Sequence, residues 1–385
     1  MTATVVPGAF LEADAKSTSH QKEKVNRLPE TNRTYNSSYT GDYLKRVAFP
    51  IGGLGAGMFC LEGTGAISHM SVHHKPEIFH EPGMFAALSV KGLKNGTKVI
   101  EGPSPDWKKF GQPDSGNGSG GTIFGLPRFR NAEFLARFPF GFISLEDDDL
   151  PVKVSIEGWS PFIPTDADNS SLPVGALEYK FVNTGTNPIE AVFSFNSRNF
   201  MRKEKAKGAI NKIMNGFVLS CEDIPEKPNI RGDFAIFTDQ SETVVDHCWF
   251  RGGWFDPLTI TWETIRKGEM KSVEPVESGA PGASLYVPLK LSAGEEKKIR
   301  LMMAWYVPGS DLRIGDDVPA NEKCDPATGC CTTTYDLGVN GEKPFTGTSY
   351  KPWYSNKFWD VKVADYFKKN YDDLKKWTYA KSSSS

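Results

Sequence analysis

The feature that most constrains the fold of this chain is a series of short segments in which apolar and polar residues alternate. In VKVSIEGW, Val152, Val154 and Ile156 alternate with polar residues, and in IEAVFSFNS every second residue from Ile189 to Phe195 is apolar. Successive side chains of a β-strand point to opposite faces, so this period is typical of half-buried antiparallel strands. Further candidate strands are MFAALSV, FLARFPFGFISL, GALEYKFVN, GFVLSCE, DFAIFTD, TVVDHCWF and KKIRLMMAWYV. So many strands without long helices between them predict an all-β fold, a large antiparallel β-sandwich.

Composition supports the same fold class and names no charged partner. The 385 residues include 25 Phe, 12 Tyr and 9 Trp together with 37 Gly and 26 Pro, a combination that favours strands, turns and long loops. Lys and Arg number 45 against 47 Asp and Glu, so the whole chain carries no field that would attract nucleic acid or an anionic membrane. No segment has the roughly 18 consecutive apolar residues of a transmembrane helix.

Both ends of the chain depart from the strand pattern. Residues 1–44 are polar and aperiodic, which predicts an extended or disordered arm, and the sandwich is expected over 45–350. In NKFWDVKVADYFKKNYDDLKKW the apolar residues recur at helical spacing, which predicts a C-terminal amphipathic helix. Its expected apolar face consists of Phe358, Val361, Tyr366 or Phe367, Leu374 and Trp377. The first twenty residues lack the basic and apolar regions of a signal peptide, so a cytoplasmic location is the default, and an incomplete N-terminus would leave export open.

Three loops are predicted between these elements. VNTGTNPIE, with Asn183, Gly185 and Pro188, is expected to join two alternating runs as a hairpin. The segment 111–121, GQPDSGNGSGG, has the composition of a flexible surface loop, either a solvated insertion or the rim of a site. The acidic run EDDD, residues 146–149, is expected to be a solvated turn.

The glycine-rich stretch FPIGGLGAGMFCLEGTGAISH raises the question of a phosphate-binding loop. Its glycines do not keep the spacing of a dinucleotide fingerprint, and the required strand, helix and downstream acidic residue are not evident. A helix with so many glycines would lose roughly 1 kcal/mol for each of them. The stretch is therefore predicted to form a strand, a tight turn and a second strand.

Neither histidines nor cysteines predict a metal, and no cofactor is expected. His69, His73, His74 and His80 lie close together in the sequence, but prolines interrupt the run and the metalloprotease order is absent, which favours a structural or substrate-contact role. Cys324, Cys330 and Cys331 lack the paired spacing of zinc sites, which leaves a local disulfide or free thiols.

Carboxylates are numerous, but their separations in space decide whether two of them could act on a glycosidic bond. A pair cannot be nominated from the sequence, and most are expected on solvated faces. The candidates are Glu62, Glu77, Glu81, Asp106, Asp166, Asp168, Asp256 and Glu263.

The segment CWFRGGWFDPLTITW concentrates aromatic residues around a guanidinium. Trp249, Trp254 and Phe255, with Arg251, could offer flat faces and a donor to a sugar ring, and they are the carbohydrate-contact candidates of this chain. The alternative is that these rings pack in the core, because Trp and Phe dominate cores as well as sites.

The chain resembles the N-terminal domain of glycoside hydrolase family 116, the family of non-lysosomal glucosylceramidase and bile acid β-glucosidase. The resemblance is carried by FPIGGLGAGMFCLEGTGAISH, by GWSPFIPTDADNSSLPVGALEYKFVNTG and by KPWYSNKFWDVKVADYF, and it extends over about residues 45–380. It implies a β-sandwich that packs onto a helical domain of the (α/α) barrel type, which carries the catalytic carboxylates of a retaining enzyme. No position here matches those catalytic motifs, so no catalytic residue is assigned and the isolated chain is expected to be inactive.

The resemblance also implies a partner and a substrate. Residues 351–385 would be the linker and first helix leading to the helical catalytic domain, present in the same chain or as a separate one, and the complete enzyme would act on a β-glucoside. The apolar face of the terminal helix, with Trp359, Phe367 and Trp377, would then contact that domain. Two alternatives remain: a stand-alone carbohydrate-binding or protein-interaction module, and an enzyme that uses two carboxylates of the sandwich itself.

Overall fold

The computed structural model describes residues 34–110, 123–203, 208–222, 230–315, 321–324, 331–334 and 348–382. The protein is 41% strand and 17% helix, which confirms the all-β class with a C-terminal helix. Of the expected arm, residues 1–33 lie outside the described residues, and residues 34–37 form a turn. From residue 38 onward the chain forms a separate unit, in which residues 39–40 are already a strand.

The structure contains 21 described strands, numbered here in chain order. They are β1 Tyr39–Thr40, β2 Ala48–Gly53, β3 Gly57–Glu62, β4 Ile67–Ser71, β5 Met84–Val90, β6 Thr97–Val99, β7 Asn131–Arg137, β8 Phe140–Glu146, β9 Val152–Trp159, β10 Val174–Asn183, β11 Ile189–Arg198, β12 Gly208–Ile213, β13 Gly216–Cys221, β14 Gly232–Thr238, β15 Val244–Asp246, β16 Gly282–Leu291, β17 Glu296–Tyr306, β18 Arg313–Ile314, β19 Asn321–Cys324, β20 Cys331–Thr334 and β21 Thr348–Ser349.

The helices are few and mostly short. They are α1 Asp106–Phe110, α2 Ala167–Ser170, α3 Pro257–Arg266 and α4 Lys362–Ser382, with 3-10 turns at Gly41–Arg46 and Trp353–Asn356. Among the described residues, no helix is both long and apolar enough to cross a membrane.

Within the described ranges, antiparallel pairing organises the strands into two large sheets and three small ones. The large sheet has nine strands in the order β1-β7-β8-β9-β10-β17-β14-β13-β12, and the second has five in the order β15-β16-β11-β5-β6. The strands β2-β3-β4 form a three-stranded sheet, and β18-β21 and β19-β20 are two-stranded.

The main core lies between the sheets and contains the residues whose alternation predicted the strands. Val152, Val154 and Ile156 of β9 are at most 1% exposed and belong to this core. The ring of Phe193 on β11 lies 5.0 Å from that of Tyr179 and 5.8 Å from that of Phe181, both on β10 of the other sheet. The inward faces predicted from the period of two are thus confirmed.

Two helices cover the outer faces of the large sheets. Helix α4 packs on the nine-stranded sheet, where Phe367 and Leu374 are fully buried with Trp159. Helix α3 packs on the five-stranded sheet through Leu258 and Ile265. Because both faces are covered, strands such as β5 are buried at every residue rather than at every second one.

The terminal helix differs from its prediction in two ways. It begins at Lys362, so Phe358 and Val361 precede it. The expectation that its apolar face, including Phe367, contacts a further domain is wrong for Phe367, because the nine-stranded sheet of the same chain buries that residue. Trp359 and Trp377 remain 70% and 45% exposed.

The connection predicted as a hairpin joins two sheets instead. β10 belongs to the nine-stranded sheet and β11 to the five-stranded sheet, so they do not pair. The buried Asn183 side chain donates to the carbonyl oxygens of Asn187 and Leu291, at 2.8 and 3.1 Å. The turn residues in the sequence therefore mark a connection between the two sheets and not a hairpin, since the same residue types favour both kinds of turn.

The glycine-rich stretch forms the predicted strand, turn and strand as β2 and β3. A Cβ atom on Gly53 would lie 2.2 Å from the carbonyl oxygen of Leu172, so only glycine permits this approach of the backbones. Gly57 has φ +91°, a conformation that L side chains rarely adopt.

Candidate functional site

The carbohydrate-contact candidates do not share one surface. Trp249 is 2% exposed and its Nε1 donates to Ser284 Oγ at 2.8 Å, so its ring lies in the interior. Arg251 is exposed and donates to the carbonyl oxygen of Ser278 at 3.4 Å. Trp254 and Phe255 are 81% and 47% exposed.

Helix α3, which the sequence did not predict, begins directly after the exposed pair. Asp256 Oδ2 accepts a hydrogen bond from Thr259 N at 2.9 Å and so caps the helix, and Pro257 occupies its first turn. Aspartate followed by proline is a helix-start signal, and it could have indicated α3. The Trp254 ring also contacts Phe250 edge to face, with the ring centroids 5.1 Å apart.

Two of the candidate carboxylates meet at a buried lysine. Lys108 Nζ, on α1, lies 2.7 Å from Glu62 Oε1 and 2.5 Å from Glu81 Oε1, and its side chain is 3% exposed. Burial lowers the pKa of Lys108, but the two carboxylates outweigh it and raise the pKa above its usual value. Both carboxylates are therefore ion-paired with one ammonium and are not arranged as an acid and a nucleophile.

A second buried ion pair lies beside this triad. Glu101 and Arg128 have side chains 4% and 6% exposed, and Arg128 Nε donates to Glu101 Oε2 at 3.1 Å. Burial raises the pKa of Glu101, and the Arg128 guanidinium acts in the opposite direction. No sequence pattern indicated these two residues or Lys108, because no local pattern distinguishes a buried ionic side chain from a solvated one.

Most other candidate carboxylates serve the structure. Asp166 Oδ1 accepts from Asn169 N at 3.0 Å as the N-cap of α2. Glu263 pairs with Arg266 on α3 at 2.8 Å, and Asp168 lies 3.6 Å from Lys357. Glu77 lies within 3.5 Å of both His80 and Lys203, and Asp106 is the exposed first residue of α1.

The histidines contact separate partners. His69 Nδ1 accepts from Phe79 N at 2.9 Å, His74 Nε2 lies 2.8 Å from the carbonyl oxygen of Val307, and His80 Nδ1 lies 3.2 Å from that of Met70. Burial lowers the pKa of His73 to about 4. In the part of the chain that the structure describes, no group of three His, Cys, Asp or Glu side chains could hold a metal ion.

Three of the six cysteines have side chains that the structure describes. Cys60, Cys221 and Cys248 are buried free thiols. The side chains of Cys324, Cys330 and Cys331 lie outside the described residues, as do residues 111–122 with the glycine-rich loop.

The fold is that of an antiparallel β-sandwich domain. Most of its candidate carboxylates form ion pairs or cap helices. A model of the family described as "beta-glucosidase 2, glycosyl-hydrolase family 116 N-term" matches residues 48–374. The chain therefore belongs to the family of N-terminal domains of glycoside hydrolase family 116, as the resemblance in the sequence indicated.

Comparison with curated proteins found no match. Among solved structures, the chain is similar to a protein described as a kojibiose phosphorylase from the human microbiome, at 10% identity and a TM-score of 0.32, over 70% of this chain and 25% of that one. It is also similar to a protein of Escherichia coli K12 described as an aldose 1-epimerase, at 9% identity and a TM-score of 0.36, over 68% of this chain and 99% of that one.

A family GH92 α-mannosidase from Bacteroides thetaiotaomicron is similar at 9% identity and a TM-score of 0.28, over 68% of this chain and 32% of that one. The chain thus spans a quarter of the length of the phosphorylase and about a third of that of the mannosidase. Similarities this low bear on no function, and membership of the family rests on the family model.

Proposed function

We propose that this chain is the β-sandwich domain of a β-glucosidase or glucosylceramidase-like glycoside hydrolase, and that it supports a helical catalytic domain on the same or a separate chain. The observation that carries the proposal is the family match over residues 48–374. The two catalytic carboxylates of a retaining mechanism would belong to the helical domain.

The arrangement of carboxylates in the sandwich supports this division of labour. Glu62 and Glu81 converge, but Lys108 Nζ lies within 2.7 Å of each and forms an ion pair with both. A general acid needs a proton to give and a nucleophile needs a free carboxylate facing the sugar, and a shared ammonium opposes both roles.

The test is turnover of an aryl β-glucoside. We expect no release of the aryl group by the purified chain, and release when the helical domain of a family 116 relative is added as a separate polypeptide. The helical domain alone is the control, and its activity should increase with added chain.

Turnover by the isolated chain at the rate of a complete enzyme would contradict the proposal. If Glu81→Gln then abolished that turnover, the carboxylates of the sandwich itself would be the catalysts. The family match would in that case describe the fold and not the role.

A second function, a carbohydrate-binding or protein-interaction module, is supported by the exposure of Trp254 and Phe255. Both side chains are exposed at the surface, directly before the N-cap of α3. Calorimetry with cellobiose tests this reading: saturable binding that Trp254→Ala abolishes would favour it, and unchanged binding in that variant would reject Trp254 as the platform.

A further inference from the structure

A cavity of about 500 Å³ opens beside the buried ion triad, where the end of β3, the start of β5, the end of β11 and helix α1 approach one another. Its walls include Glu62, Glu81, Trp107, Lys108, Arg198 and Asn199. The volume lies in the range of roughly 300–1,000 Å³ that is common for small-molecule sites. None of these residues belongs to the exposed segment around Trp254.

The charges around the cavity are balanced, because the three carboxylates of Glu62, Glu81 and Glu101 are matched in number by the cations of Lys108, Arg128 and Arg198. Glu62 and Glu81 share Lys108, and Glu101, which also lines the cavity, pairs with Arg128 behind it. Lys108 already has two carboxylate partners, so it offers little attraction to an anion, and it occupies the position between two carboxylates that a cation would need. The cavity therefore favours a neutral ligand.

The same ion pairs hold polar groups in fixed directions. A carboxylate has about four acceptor positions, and one ammonium does not use all of those on Glu62 and Glu81. The acceptors that remain can bind hydroxyl groups, while the contacts with Lys108 keep both carboxylates in place. A ligand with several hydroxyl groups matches this wall.

An aromatic wall completes the cavity. Trp107 is 48% exposed, and the Lys108 ammonium lies 5.4 Å from its ring centroid and 5.8 Å from that of Phe124. Phe79, 75% exposed, stands at the rim. A pyranose ring has an apolar C–H face and a polar edge, and it can use an indole and fixed carboxylates together.

We propose that this cavity binds a neutral saccharide, with one pyranose ring against Trp107 and its hydroxyl groups directed to Glu62 and Glu81. The proposal does not depend on the proposed function, because binding is expected for this chain whether or not a helical domain accompanies it. It also differs from the module reading above, which relies on Trp254.

The experiment measures binding of glucose, cellobiose and maltose to the full chain by calorimetry and ligand-observed NMR. We expect saturable binding at millimolar concentration that is insensitive to salt, since the ligand is uncharged. Trp107→Ala should weaken it about tenfold or more, and Trp107→Phe should retain part of it, because stacking of aromatic groups contributes on that scale. Trp254→Ala is the matched control, an exposed tryptophan elsewhere, and should bind like the parent.

Circular dichroism of each variant tests whether the fold is kept. Because Trp107 is 48% exposed, we expect its replacement to leave the fold intact. Three results would overturn the proposal: no binding of the three sugars at tens of millimolar, binding lost in Trp254→Ala but retained in Trp107→Ala, or tighter binding of glucuronate or glucosamine than of glucose. Failure of the turnover experiment would leave these results unaffected, so the two proposals are tested separately.

Discussion

At the scale of single residues, the acidic run at 146–149 contains one aspartate that is exposed and one whose side chain is buried. The run does form a turn, and Asp148 is 92% exposed. Asp147, however, has a fully buried side chain that lies 2.6 Å from Lys98 Nζ and accepts from the backbone N–H groups of Arg130 and Asp149. Burial alone would raise the pKa of Asp147, but these partners hold it below its usual value.

Replacing Lys98 should destabilise the protein strongly. Its side chain is 6% exposed, and Lys98→Ala would leave the buried Asp147 with only the more distant guanidinium of Arg130, whose Nη1 lies 4.0 Å from Asp147 Oδ1. We expect the free energy of unfolding to fall by about 3–5 kcal/mol. Urea denaturation measures this change.

The matched control for that variant is Lys153→Ala. Lys153 pairs with Glu146 at the surface, with the two side chains 46% and 56% exposed. Its loss should cost less than about 1 kcal/mol. Equal effects of the two substitutions would show that Asp147 finds another partner.

A second residue gives the protein a dependence on pH. Burial, together with the neighbouring Asp360 carboxyl, raises the pKa of Asp233 to about 6, although hydrogen bonding to Ser220 and the charge of Arg231 act in the other direction. Because the folded pKa lies above the unfolded value of 3.8, the stability linked to this group is fully present below that value. It is lost as pH rises through about 6.

Asp233→Asn should remove this pH-dependent loss of stability. Relative to the parent, we expect the variant to gain about 3 kcal/mol of unfolding free energy above neutral pH and little in acid. Denaturation midpoints measured across the pH range check this, with the exposed Asp148→Asn as control. A constant difference at every pH would contradict the linkage.

At the scale of elements, the terminal helix was predicted as amphipathic, and its buried side was then found on the sandwich itself. Tyr371 OH donates to Glu178 Oε1 at 2.7 Å and accepts from Trp159 Nε1 at 3.1 Å. Lys375 Nζ lies 2.5 Å from the same Glu178 oxygen. Apolar packing and a polar cluster therefore hold α4 to β9 and β10.

The packing of α4 can be tested with two large side chains of the same helix. Leu374 is fully buried against the sheet, and Leu374→Ala should cost about 2–5 kcal/mol of unfolding free energy. Trp377 is 45% exposed, and Trp377→Ala should change stability by roughly 0.5 kcal/mol or less. Similar losses in both variants would mean that the helix binds through a different face.

Element prediction succeeded where the pattern was local and long enough. MFAALSV is β5 at the predicted residues, and FLARFPFGFISL falls in the two strands β7 and β8. It failed at α3, whose apolar residues lie in a segment dominated by aromatic side chains. In TVVDHCWF the observed strand is shorter than predicted, because only Val244–Asp246 pair, as β15.

At the scale of the whole molecule, one core connects the sheets. The cluster that contains Phe59 of the three-stranded sheet also contains Phe193 of the five-stranded sheet and Ile236 of the nine-stranded sheet. A core shared in this way makes the stability of each sheet depend on the others. We infer that the described sandwich unfolds as one unit.

That cooperativity has a direct measurement. Tryptophan fluorescence and far-ultraviolet circular dichroism should report coincident urea transitions, because the buried Trp305 belongs to the core that the strands of the three sheets share. Separate midpoints, with strand signal remaining after the fluorescence change, would show that the sheets unfold independently.

By itself, the sequence determined the all-β class, most strand positions, the inward faces of strands such as β9, the terminal helix and the family. These follow from periodicity and local motifs, which act over a few residues. Only the tertiary structure decided that β10 and β11 lie in different sheets, that Trp249 is interior while Trp254 is exposed, and that Lys108 joins Glu62, 46 positions away, at the wall of a cavity. Burial and ion pairing depend on partners distant along the chain, so no local pattern in the sequence carries them.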